Sequence, residues 1–222
     1  KELRIPKRIS AASGQSIDIM YEHACSKMFY DQLDPAWPPC LVHHTRFEYL
    51  HPIVRCKALH PGGTKPGNPD SGQRRPLYAE VETPAVANGA KFVRRANCTV
   101  AVFFNMLYIK EAVCLSMQRL GLCQNGAAIL MKSVPLDHLL RIQAYAVEED
   151  GVEMPPFMIW RHPGDGKPLV YKPCPQCASR GDDTQLPSGT DICWRDDCRF
   201  PITDKGLEEY MRVYGMTRNE SA

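Results

Sequence analysis

Long apolar runs are missing from this 222-residue sequence. Its longest candidate, Val100–Ile109, is interrupted by Asn105 and falls short of the ~18 residues that a membrane span needs. A membrane helix is therefore not expected. Charge of one sign is also scarce: 27 Lys/Arg face 25 Asp/Glu, a net of +2. So small a surplus does not by itself announce a nucleic-acid binder. The chain does not begin with Met, and no signal-peptide pattern opens it; it reads as a trimmed, cytoplasmic protein. Internal repeats are absent. No paired-carboxylate, nucleophile or phosphate-loop motif stands out, and Gly62-Gly63-Thr64-Lys65 lacks the phosphate-loop spacing. On that ground an enzyme is the least favoured class.

What is present in excess is proline, 19 residues, and cysteine, 10 residues. Six cysteines are scattered, at 25, 40, 56, 98, 114 and 123. Four are clustered as Cys174-x2-Cys177, then fifteen residues, then Cys193-x4-Cys198. Two short-spaced pairs across such a loop match a four-thiolate zinc site. Each tight turn can aim two thiolates at one ion, and the second turn closes the tetrahedron. Four sulfur ligands leave no open position, so one structural Zn2+ is expected there. A disulfide framework is the rival, but the unpatterned remaining cysteines argue against it. Cys40, His43, His44, His51, Cys56 and His60 also crowd together, and Cys40/His43/His51/Cys56 are weighed as a second, looser metal site. Packed histidines are the plainer reading.

Periodicity predicts helices over most of the rest. Residues 16–33 read as an amphipathic helix capped by Ser16. Residues 60–76 hold four prolines and four glycines and read as a linker. Leu77–Val81 reads as a strand. Val100–Arg119 reads as one long helix, Asn125–Lys132 as a second, and a third starts at Ser133 with Pro135 in its first turn. Residues 155–173 read as extended, with a hairpin connection at His162–Lys167, and Lys205–Tyr214 as a last helix. The expected fold is mainly α with short β segments: a helical core with a C-terminal zinc ribbon. The expected division is 1–75, a basic N-terminal region; 76–160, a helix-turn-helix-like core; and 161–222, the ribbon with its terminal helix.

The basic surplus lies N-terminally, where residues 1–100 carry 14 Lys/Arg against 9 Asp/Glu. In the helix-turn-helix reading, Arg141, Lys132 and His138 on or beside the third helix meet phosphates or bases. Lys7, Arg8, Arg94 and Arg95 then clamp the backbone. The ribbon is acidic around its cysteines and is expected to brace the fold or to contact protein.

The run from Ala96 to Ala146 resembles the FlhD/FlhC family of bacterial flagellar master activators. The shared features are an apolar segment from Asn97, the Met-x-Arg-Leu-Gly turn at Met117–Gly121, the small-residue segment Ala127–Leu130, and the Pro-Leu-x-x-Leu opening at Val134–Leu140. The FlhC partner carries a C-terminal four-cysteine zinc site of similar spacing. The resemblance implies a zinc-containing, oligomeric transcriptional activator acting on promoter DNA. The alternative from the residues alone is a non-catalytic zinc-ribbon subunit of a larger protein or nucleoprotein complex.

Overall fold

Val100–Phe104 is a central strand, buried along its whole length. Its β-branched and aromatic residues favour a pleated surface over a helix, and a continuous apolar run suits a strand covered on both faces. The computed structural model describes residues 25–61, 76–81, 98–123, 127–145, 156–164 and 168–214.

Eight strands form one antiparallel sheet. In chain order the strands of the structure are β1 (Cys25–Met28), β2 (Leu41–Thr45), β3 (Ala58–Leu59), β4 (Leu77–Val81), β5 (Val100–Phe104), β6 (Leu120–Cys123), β7 (Ala127–Leu130), β8 (Val134–Pro135), β9 (Leu139–Ala144), β10 (Phe157–Arg161), β11 (Tyr171–Pro173) and β12 (Gln185–Pro187). The large sheet runs β1-β6-β7-β4-β2-β5-β9-β10, while β3 pairs β8 and β11 pairs β12. Among the described residues, four helices accompany it: α1 (Leu50–Cys56), α2 (Met106–Cys114), α3 (Pro175–Ser179) and α4 (Asp204–Tyr214). None of the described helices is long and apolar enough to cross a membrane.

The expected helical core is thus corrected: the protein is mainly β. The long helix expected over 100–119 is a strand, a helix and the turn that leads into β6. Asn105 makes the break, its side chain accepting the Leu107 backbone N–H at 3.2 Å as the cap of α2. Ser116, at φ 59°, turns the chain out of α2. The second expected helix is β7. The third is β8, a short 3-10 turn at Leu136–His138, and β9. In β9, inward Ile142 and Ala144 alternate with Arg141 and Gln143, which is the period of two rather than 3.6. Of the helix expected over 16–33, residues 25–28 form β1 and residues 16–24 lie outside the described residues. No helix-turn-helix is formed among the described residues. The strand at 77–81 and the last helix stand as expected. Nor do His162–Lys167 join a hairpin, since β10 pairs with β9 and β11 with β12.

One buried cluster fills the first face of the sheet. It joins Leu41, Val102, Phe104 and Ile142 of the sheet, Leu50 and Ile53 of α1, Ile109 of α2, and Cys174, Cys193 and Trp194 of the C-terminal segment. Val42, Ala101 and Phe103, which alternate with the first set along β2 and β5, form a second buried cluster on the opposite face. Gln118 is a buried polar pin between α2 and the β7–β8 turn. Its amide nitrogen donates to the Lys132 carbonyl at 2.9 Å and its oxygen accepts the Lys132 N–H at 2.8 Å.

Candidate metal centre

The C-terminal segment builds two knuckles that face each other. Cys174 follows β11 and stands at the N-cap position of α3, whose first residue, Pro175, has the fixed φ a first turn wants. Cys177 follows in that same turn. The second knuckle runs from Cys193 to Cys198, closed by the Cys198 N–H donating to the Arg195 carbonyl at 3.2 Å. Backbone bonds tie each knuckle down: the Cys174 N–H donates to the Thr184 carbonyl at 2.9 Å and the Cys193 N–H to the Phe200 carbonyl at 2.8 Å.

The four Sγ atoms lie within 4.8 Å of one another. Cys174 and Cys198 are 3.8 Å apart, as are Cys177 and Cys193. A tetrahedron with metal–sulfur bonds of about 2.3 Å has edges of about 3.8 Å. A disulfide requires about 2.05 Å, and no disulfide links any cysteine of the chain. The spacing therefore fits four thiolates around one ion. Cys174, Cys177 and Cys193 are buried and Cys198 is half-buried.

Electrostatics agree with a site that wants a cation. Burial pushes the Cys177 thiol up to about 11, with the neighbouring thiols of Cys198 and Cys174 adding to it. Burial also drives Cys193 far above the ordinary thiol range. Burial raises Cys174 as well, but hydrogen bonds from the Cys177 backbone and the neighbouring thiols outweigh it and leave Cys174 low. One thiolate is favoured, and four together need a positive ion.

Around the cysteines, Asp182, Asp196 and Asp197 are paired with arginines. Arg195 holds Asp197 through two hydrogen bonds of 2.8 and 2.6 Å and also pairs with Asp182. Arg199 pairs with Asp196. Asp182 in turn accepts the Thr184 hydroxyl at 2.7 Å and its N–H at 3.0 Å. Thr184, Arg195 and Trp194 support the site and were not singled out in the sequence; the Asp182-x-Thr184 turn signature was the available signal.

The ribbon does not stand apart. Trp194 meets Trp160 of β10 edge to face, with ring centroids 5.9 Å apart. Ile159 accepts the N–H groups of Asp191 and Ile192 at 2.9 and 3.3 Å, so the outer edge of β10 is covered by ribbon backbone.

No protein-family model matches the chain, and no curated protein matches it in sequence.

The looser His/Cys set is dispersed. His43 and His44 project from opposite faces of β2, His43 bonding the Tyr78 carbonyl at 2.8 Å and buried His44 lying 3.8 Å from the Glu80 carboxylate. His60 meets the Ser133 hydroxyl at 2.7 Å. His51 lies on α1, where burial and then Arg195 and Arg55 hold it below the usual histidine range. Among the described residues the four ribbon cysteines are the one cluster arranged to hold a metal.

The expected nucleic-acid residues do not share a recognition helix. Arg141 lies on β9, with its guanidinium 3.9 Å over the Phe103 ring. Lys132 bends back to the Ser116 carbonyl at 3.0 Å. His138 stacks on Tyr108, centroids 5.6 Å apart, and burial lowers its pKa. Lys7, Arg8, Arg94 and Arg95 lie outside the described residues.

Proposed function

We propose that this chain is a non-catalytic subunit of a larger protein or nucleoprotein complex, stapled by one structural zinc ion at Cys174, Cys177, Cys193 and Cys198. The observation that carries the reading is the closed set of four thiols at tetrahedral spacing. A tetrahedral four-sulfur set selects zinc or an iron–sulfur centre. Two short knuckles whose four thiols fit around one ion favour zinc. With four protein ligands the ion braces the fold and offers no position to substrate or water. Free thiols elsewhere suit a reducing compartment, and we place the protein in the cytoplasm.

The second reading is a DNA-binding transcriptional activator, oligomeric and of the FlhD/FlhC kind. The zinc site fits it. The helix-turn-helix that first suggested it is absent, so DNA contact must come from a sheet edge or from segments outside the described residues. Arg141 favours it, since no ion pair neutralises it among the described residues.

Elemental analysis joined to a DNA titration at two salt concentrations separates these. One zinc per chain without DNA affinity at low salt supports the subunit. One zinc with binding that falls steeply with salt supports the regulator. A metal-free chain that remains folded contradicts both.

A further inference from the structure

Arg141 and Arg161 stand directly opposite each other on β9 and β10. Residues so paired project from the same face, with Cβ atoms only about 5 Å apart, and like charges there are destabilising. One irregularity of the ladder produces the pairing: the register shifts between Met158 and Trp160 on β10. Without this shift, Arg161 would lie opposite Leu140 and on the other face. Bulges of this kind re-aim side chains and gather at functional edges.

The ribbon holds the β10 shift in place. The carbonyl of Ile159, the extra residue, takes both N–H groups from Asp191 and Ile192, and the Arg161 N–H donates to the Gly189 carbonyl at 3.1 Å. Gly189 has φ +85°, and a Cβ there would collide with the Arg161 carbonyl. Only glycine permits this approach.

Neither guanidinium has a carboxylate partner among the described residues. Arg161 is exposed. Arg141 is half-buried and lies flat over Phe103, and its Nε is buried without a hydrogen-bond partner among the described residues. Stacking fixes the plane of a guanidinium and leaves its in-plane N–H donors to be met by an acceptor. Gln143, two residues along β9 on the same face, adds an amide.

We propose that Arg141 and Arg161 form a two-arginine clamp for a phosphate group. A phosphate offers several acceptor oxygens to two forks at once, accepts charge-assisted hydrogen bonds, and cancels the repulsion between the arginines. The phosphate belongs either to a nucleic-acid backbone or to a free phosphorylated small molecule; both present the same oxygens. The clamp goes beyond the metal reading and fails separately from it, because zinc content reports one and phosphate affinity the other.

The test titrates the full zinc-loaded chain with a labelled 20-base-pair duplex DNA at several salt concentrations, and with inorganic pyrophosphate by calorimetry. Arg141→Gln and Arg161→Gln are measured beside it. Each variant is expected to bind on the order of tenfold more weakly. If the source is DNA, the slope of log affinity against log salt falls by about 0.9 for each arginine lost. The melting temperature of Arg161→Gln should hold or rise, because a like-charge pair is relieved. Pyrophosphate binding that is lost in the variants, with no DNA binding, keeps the clamp and assigns it to a free phosphate. No binding of either probe overturns the proposal, and so does binding of the same strength and salt slope in Arg161→Gln. Should Arg141→Gln lose zinc or stability, Arg161→Gln, altered at an exposed position, decides alone.

Discussion

Trp160 of the sheet and Trp194 of the ribbon pack edge to face at 5.9 Å, both fully buried. Trp194 follows Cys193 directly, and Trp160 lies on the edge strand that the ribbon covers. The cysteine knuckles and the sheet therefore share one core, so the folding energy that an ion bound there supplies would reach the sheet rather than stay in a separate module.

Replacing Trp194 by Ala tests that coupling. Truncating a buried Trp costs roughly 3–5 kcal/mol, which lowers the melting temperature by roughly 6–20 °C for a chain of this size. Thermal unfolding should remain a single transition. Two separate transitions in the intact protein would show that ribbon and sheet fold independently.

Cys174→Ser removes a buried ligand. The variant should lose the ion and the near-ultraviolet signal of Trp194, and should aggregate or melt early. A soluble variant with full metal content and an unchanged melting curve would show that Cys174 is not a ligand.

Metal loading should release protons. Burial and neighbouring thiols hold Cys177 up at about 11, and burial holds Cys193 higher still, so both are protonated at neutral pH without an ion. Each must lose its proton to bind. Zinc affinity therefore falls as pH falls, and zinc added to the apo chain in weak buffer acidifies it. Pale pH dependence across about pH 6–8 would contradict thiolate ligation.

His138 predicts a distinct acid sensitivity. Burial lowers its pKa from 6.5 in the fold. The unfolded state then binds the proton first as pH drops, so this contribution is complete above about 6.5 and is lost below it. The melting temperature of the native chain should fall below that pH more steeply than that of His138→Gln. Parallel curves would refute the assignment.

Asn105 is the residue that divides strand from helix. Asn105→Ala should cost about 1 kcal/mol through the lost cap, and Asn105→Ser should recover most of it. Equal stability of all three forms would remove the cap from the account.

The four-cysteine cluster was legible in the sequence because its members are set by local spacing. Two knuckles need only a few residues each, and Cys174-x2-Cys177 with Cys193-x4-Cys198 states both. The sheet was not legible in the same way. Val100–Phe104 is a continuous apolar run, and such a run suits a buried helix or a buried strand until its β-branched content is weighed. Asn105, which falls inside the helix expected over 100–119, caps the shorter α2 instead. The pairing of Cys25 with Cys123 and of His44 with Ala101 joins segments far apart in the chain, and no local period encodes it. Arg141 was expected on a helix facing nucleic acid; it lies half-buried on β9 instead. Its opposition to Arg161 depends on a bulge held by ribbon backbone, which side-chain patterning does not record.

The measurement that tests the central claim most directly is the metal content of the purified full chain, made together with a count of reactive thiols before and after chelation. The account predicts one zinc per chain and four thiols that become reactive only when the ion is withdrawn, with loss of the folded signal of Trp194. A chain free of metal, with all four ribbon thiols reactive and its melting temperature indifferent to chelator, would contradict it.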